Sequence, residues 1–221
     1  MSEQKKLVGI AADGVCIEGM LELPAHATGM VLFAHGSGSS RLSPRNNYVA
    51  TVLRNAGLGT LLVDLLTADE DQTYQTRFDI ALLTQRLQVA LTWLQRQGGE
   101  LTALPLGLFG ASTGAAAALC AAAGAPQLVR AVVSRGGRPD LAGTEALERV
   151  RAPTLLLVGG LDDVVIELNQ AAYDRMQCEK QLRIVPGATH LFEEPGKLES
   201  VARLAADWFL LHLAGSATPD P

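Results

Sequence analysis

Residues 104–124 read LPLGLFGASTGAAAALCAAAG, and the fold turns on what Ser112 does in that stretch. An apolar run enters Gly110-Ala111-Ser112-Thr113-Gly114, and an alanine-rich helical run leaves it. The pentapeptide fits the G-x-S-x-G elbow, in which a strand turns sharply into a helix with the serine held in a strained conformation. Such a turn needs small residues two positions to either side, and glycine stands at both. The alanines let the helix lie close to its sheet, and the free N–H groups of its first turn face the place where an oxyanion would form. The competing reading is a plain turn serine. The pentapeptide alone is a weak signal, so the rest of the chain must decide.

The surrounding pattern is that of a parallel sheet. Val15–Leu23 alternates apolar and polar residues as a half-exposed strand does. Met30–His35 is a continuous apolar run ending in a glycine-rich loop, HGSGSS, as expected of a buried parallel strand. A helix is expected over Arg45–Gly57, a strand over Leu58–Leu66, and an amphipathic helix over Arg77–Gln97 with Ile80, Leu83, Leu87, Leu91 and Leu94 on one face. Gly98–Gly99 stops that helix. After the elbow come strands at Leu128–Ser134, Thr154–Gly160 and Gln181–Pro186, separated by helices at Asp140–Arg149 and Ile166–Gln177 and closed by a helix at Lys197–Leu213. Strands alternating with helices of this length make a doubly wound α/β domain. One domain over residues 1–213 with a frayed tail over 214–221 is expected; no internal repeat or linker is visible.

A serine hydroxyl attacks only when a base takes its proton. Of the four histidines, His26 lies in a polar loop, His35 ends a strand, and His212 is expected at the exposed edge of the closing helix. His190, in PGATHLFEEPG, follows the last strand, and parallel sheets gather their sites at the carboxyl ends of strands. It is the candidate base. The third member should be an acid after an intervening strand, to hold the imidazole tautomer. Asp162 comes first after TLLLVGG, and Asp163 reads as a solvated or capping residue. The order Ser112, Asp162, His190 suits an α/β-hydrolase. The backbone N–H groups of Thr113 and Ser37 are the candidate oxyanion donors, with Gly36 as the alternative to Ser37.

The composition narrows the classes. The chain has 221 residues, 48% hydrophobic and 19% charged, with a net charge of −5. That is enough chain for a sizeable core, and the acidic balance without a basic stripe argues against nucleic acid. Three widely spaced cysteines suggest neither a disulfide framework nor a metal knuckle. No leader-like apolar run follows Lys5-Lys6, and no stretch approaches the roughly 18 apolar residues of a membrane span. A cytoplasmic protein without metal or cofactor, monomeric or homodimeric, is expected.

Together HGSGSSRLSPRN, FGASTGAAAA, VVSRGGRPDLAG, APTLLLVGGLD and VPGATHLFEEPG resemble the dienelactone hydrolase-like branch of the α/β-hydrolases. The resemblance runs from about Leu7 to Leu213. It implies a mostly parallel sheet of eight strands and hydrolysis of esters or lactones without metal or cofactor. One departure stands out: dienelactone hydrolases carry a cysteine at the elbow where this chain has Ser112. Cys120, eight residues on, reads as core packing. Thiolate chemistry therefore does not carry over, and dienelactone itself is a doubtful substrate.

Only about twenty residues (135–153) lie where larger hydrolases insert a lid, which suits small soluble esters. Arg135 and Arg138, after one strand end, and Arg41 and Arg45, after another, fall on the catalytic edge. A guanidinium pair there would clamp a substrate carboxylate or phosphate; dienelactone hydrolases do bind an acidic substrate. Alternatively these arginines pair with Glu193, Glu194 or Asp140 and brace the loops. The competing functions are a non-catalytic protein that keeps the fold to bind a ligand or partner, and a thioesterase or peptidase using the same residues.

Overall fold

In the computed structural model, which describes residues 3–213, the hydrophobic runs become the middle of a sheet. Gly29–Ala34 (β3), Leu58–Val63 (β4), Leu106–Ala111 (β5) and Thr154–Gly159 (β7) are buried at every position. Continuous apolar strands of this kind need cover on both faces, and parallel pairing with crossover helices supplies it. Val129–Arg135 (β6) and Lys180–Val185 (β8) extend the parallel set. Gln4–Ala12 (β1) and Val15–Leu23 (β2) form an antiparallel hairpin that joins through β2 to β4. The eight strands run in the order β1-β2-β4-β3-β5-β6-β7-β8.

Seven helices complete the described chain: Pro44–Asn55 (α1), Ile80–Gln95 (α2), Gly99–Ala103 (α3), Thr113–Gly124 (α4), Thr144–Arg149 (α5), Asp163–Arg175 (α6) and Lys197–Leu213 (α7). One face of the sheet packs on Leu83, Leu87, Leu91 and Leu94 of α2 and the alanines of α4. The other packs on Val49 and Leu53 of α1 and on Ala202, Ala205 and Phe209 of α7. Each fully buried leucine contributes about 1.5–3 kcal/mol relative to exposure. Between β6 and β7 stand only a 3₁₀ turn at Pro139–Ala142 and α5, so no lid domain rises there.

Several expectations need correction. β1 is a strand that the opening residues did not announce. It is an outer strand, buried only at Val8, Ile10 and Ala12, and its lysines mask the alternation. The helix expected from Arg77 begins at Ile80, because Asp79 caps it by accepting the Leu82 N–H at 3.0 Å. Arg77 lies in a preceding 3₁₀ turn, Thr76–Phe78. Gly98–Gly99 does end α2, yet Gly99 at once opens the short α3. His212 is not at an exposed edge: its side chain is 12% exposed, its ring tilted against that of Trp208 at 4.3 Å. The expected tail, 214–221, lies outside the described residues.

Candidate active site

Ser112 stands between the end of β5 and the start of α4 with φ +50° and ψ −122°. A non-glycine residue is driven into that region only by its surroundings. Here the surroundings are close backbone. A Cβ on Gly114 would lie 2.2 Å from Ala34 O and 2.4 Å from His35 O, and one on Gly110 would lie 2.4 Å from Ala115 Cα. Glycine at both positions lets α4 press its first turn onto the ends of β3 and β5. The Ser112 carbonyl accepts the N–H groups of Ala115 at 3.0 Å and Arg138 at 3.1 Å, and Ser112 N–H donates to Arg135 O at 3.2 Å. Thr113, next in line, is buried at the amino end of α4.

Asp162 and His190 reach this edge from two loops docked on each other. Leu161 N–H donates to Ala188 O at 2.9 Å, and only glycine fits at 159, where a Cβ would meet Ala188 O and Thr189 O at 2.5 Å. The loop after β8 is fixed from both ends. The Glu194 carboxylate accepts the Thr189 N–H, and Phe192, with φ +57°, buries its ring as a plug. His190 Nδ1 donates to Asp162 Oδ2 across 2.6 Å. Because the carboxylate can only accept, Nδ1 carries the proton and Nε2 is left with its lone pair, the form a general base requires. The ring lies over Gly136, where a Cβ would stand 3.5 Å from both Cε1 and Nδ1. Gly136 directly follows the Arg135 carbonyl that holds Ser112 N–H, so ring and serine flank one strand end. Among the described residues the Ser112 hydroxyl is not hydrogen-bonded to the ring. Such contacts commonly tighten only around a reacting substrate. Asp163 is exposed in the first turn of α6.

The glycine-rich loop after β3 turns back at Ser37–Gly38, where Ser39 N–H donates to Gly36 O at 3.2 Å. The loop is tied to the residues that follow β4. Leu65 N–H donates to His35 Nε2 at 3.0 Å, and Arg41 N–H donates to Asp64 Oδ1 at 2.5 Å. Asp64 was not singled out in the sequence, although an acid at the very end of a buried apolar strand (LLVD) is a signal in itself. Burial pushes the His35 imidazole below the ordinary histidine range, against the Gly36 carbonyl and the charges of Asp64 and Asp71.

The structure separates the arginines. Arg41 is held by Asp64 and Glu18, and Arg138 grips Asp140 through both Nε and Nη2 at 2.9 and 2.8 Å. Both brace loops. Arg45, on the first turn of α1, pairs with Glu193 at 2.8 Å. Arg135 differs: it is 8% exposed, and its Nη1 is buried without a partner. Burial and the like charge of Arg45 push it down to about 10. Cys120, half-buried with its Sγ toward Ala142 O, serves as packing, and burial raises its thiol. Among the described residues no group of three or more His, Cys, Asp or Glu side chains could hold a metal, and no helix is long and apolar enough to cross a membrane.

The chain superposes on the crystal structure of a dienelactone hydrolase from Anabaena variabilis with a TM-score of 0.92, at 54% identity, over 96% of this chain and 99% of that one. This chain belongs to the dienelactone hydrolase family of α/β-hydrolases. Est1E from Butyrivibrio proteoclasticus shares the fold at 16% identity, with a TM-score of 0.80 over 94% of this chain and 99% of that one. No protein-family model matches the chain. Proteins provisionally named phosphoribosyl transferases, from two strains of Mycobacterium tuberculosis, are 58% identical over 208 residues, 94% of this chain and 46% of theirs. The chain thus spans about half the length of these curated relatives.

Proposed function

We propose that this member of the dienelactone hydrolase family is a serine hydrolase of small carboxylic esters or lactones. The observation that carries the reading is the meeting of the strained Ser112 elbow with the 2.6 Å His190–Asp162 hydrogen bond at one edge of the sheet. In this mechanism His190 Nε2 takes the Ser112 proton as the hydroxyl attacks the acyl carbon. Asp162 holds the ring and offsets its developing charge. Thr113 N–H and Ser37 N–H donate to the oxyanion. The protonated ring then gives its proton to the leaving alcohol, and water, activated in the same way, releases the acid from the serine. Asp162 accepting at Nδ1 favours this order of events, since it leaves Nε2 free to act as base.

On the substrate side, Arg135 is the one of the four arginines picked from the sequence that has no carboxylate partner, and Arg45 is beside it. We assign this pair to the recognition of an acidic group on the ester; Arg41 and Arg138 brace the loops. The phosphoribosyl transferase name belongs to proteins about twice as long, and the half matched here has the hydrolase fold.

The test is Ser112→Ala. Turnover of an activated ester such as p-nitrophenyl acetate should fall roughly 10⁶-fold, leaving only what binding and the oxyanion donors supply. A fluorophosphonate probe should label the parent at Ser112 and leave the variant unlabelled. A parent protein that neither hydrolyses esters, thioesters or lactones nor takes the label would be a binding protein on a hydrolase scaffold.

A further inference from the structure

His35 is buried, 5% exposed, one residue past β3, and plays no part in the proton transfers above. Its two nitrogens have fixed partners. Leu65 N–H donates to Nε2 at 3.0 Å, so Nε2 must carry the lone pair. Nδ1 lies 2.9 Å from the Gly36 carbonyl oxygen, which can only accept, so Nδ1 must carry the hydrogen. A single neutral tautomer meets both demands; a protonated ring would turn Nε2–H against Leu65 N–H.

The consequence lies in the next peptide. The chain has no cis bond among its described residues, so the Gly36–Ser37 unit is planar and trans. In such a unit the carbonyl and the N–H point in opposite directions. Fixing the Gly36 carbonyl toward His35 therefore fixes the Ser37 N–H away from it. Gly36 also packs on the nucleophile's turn: a Cβ there would stand 3.0 Å from Ser112 Cβ and 3.2 Å from Ala111 O. The loop has little room to choose another setting.

We infer that His35 is a positioning residue, whose neutral ring orients the Gly36–Ser37 peptide and thereby aims the Ser37 N–H at the oxyanion formed on Ser112. The inference rests on the serine hydrolase reading given above. It places the control of one oxyanion donor on a tether between β3 and the residues after β4, 30 positions away in the chain.

Asparagine and glutamine separate the two halves of that tether. In His35→Asn the amide N–H stands near the place of Nδ1 and keeps the Gly36 carbonyl. In His35→Gln the amide oxygen stands near the place of Nε2 and keeps only Leu65 N–H. Each variant loses one hydrogen bond, and Asn is also shorter by a methylene, so a role in packing alone would cost Asn at least as much as Gln. With p-nitrophenyl acetate, His35→Gln should lose about 100-fold in kcat with KM nearly unchanged, the size expected when one oxyanion donor is lost. His35→Asn should stay within about tenfold of the parent, and a boronic acid that forms a tetrahedral adduct should weaken only with Gln. Equal losses in the two variants, or losses carried by KM, would overturn the inference while Ser112-dependent hydrolysis by the parent still stood. A parent without Ser112-dependent hydrolysis would remove both. Should neither variant fold, nitrogen-15 NMR of the parent decides: Nδ1–H with a bare Nε2 supports the tether, and the opposite tautomer refutes it.

Discussion

At Arg135 a guanidinium sits in the interior with no carboxylate to receive it. Alternation along β6 puts its side chain on the same face as Ala131 and Val133, the face covered by α1 and α7. There the first turn of α1 brings Arg45 toward it, and Glu193 is committed to Arg45. A buried charge in this state lowers stability, a cost that an anionic group on the substrate would offset. Two measurements on Arg135→Met then move in opposite directions. Melting temperature should hold or rise, because an unpaired charge gives way to an apolar chain of similar length. The kcat/KM for an ester bearing a carboxylate should fall about 10–100-fold, the worth of one hydrogen bond to a charged group, while a neutral ester of equal size is unchanged. Parallel change for both esters would return Arg135 to the scaffold. None of this was legible in the sequence, where Arg41, Arg135 and Arg138 look alike. Arg138 takes the neighbouring Asp140, a partner the sequence did offer, whereas Glu18 and Asp64, which hold Arg41 from distant elements, set it apart only in the fold.

Among the elements, the junction of β5, α4 and the end of β3 bears the tightest approach of main chain to main chain at any glycine. The Ser112 elbow was readable because its demands are local: two glycines, one strand before and one helix after. The backbone oxygens of Ala34 and His35 that forbid a side chain at 114 were not, since β3 lies some eighty residues upstream. Gly114→Ala should force apart two pieces of main chain that have no side-chain freedom to yield. It should destabilise by about 3 kcal/mol or more, at the upper end of overpacking costs, and lose most ester turnover. Gly124→Ala, at the far end of the same helix, is the control. Its Cβ would meet only the mobile tip of Gln88, at 2.8 Å, and alanine is the better helix former, so the fold and turnover should stay near those of the parent. Equal tolerance at both positions would mean that the elbow is not held by this contact. Elements whose register depends on neighbours read less well. β1 shows only three buried positions, and α2 starts where Asp79 caps it rather than where its apolar stripe begins.

Over the whole molecule, stability and chemistry occupy opposite ends of the same strands. β5 carries Gly107 near its amino end and delivers Ser112 just past its carboxyl end, roughly 16 Å apart at the rise of an extended chain. The Phe209 ring of α7 fills the space over Gly107, where a Cβ would lie 2.6 Å from Cε1. The doubly wound architecture could be read from the sequence because it follows from alternation along the chain, and that alternation also sets Ser112, Asp162 and His190 after the carboxyl ends of β5, β7 and β8. The filling of one face by a helix from the far end of the chain could not. Phe209→Ala should cost about 3–5 kcal/mol, as other large-to-small changes in cores do. For a domain of this size that lowers the melting temperature by roughly 10 °C. Typical stabilities of about 5–15 kcal/mol leave the variant mostly folded at room temperature. Its kcat on a small ester, measured there and corrected for the folded fraction, should match the parent within about twofold, since the ring fills the space over Gly107, at the other end of β5 from Ser112. A kcat that fell with the melting temperature, in protein shown to be folded, would mean that the packing of α7 reaches the loop carrying His190 and that the two ends of the sheet are coupled.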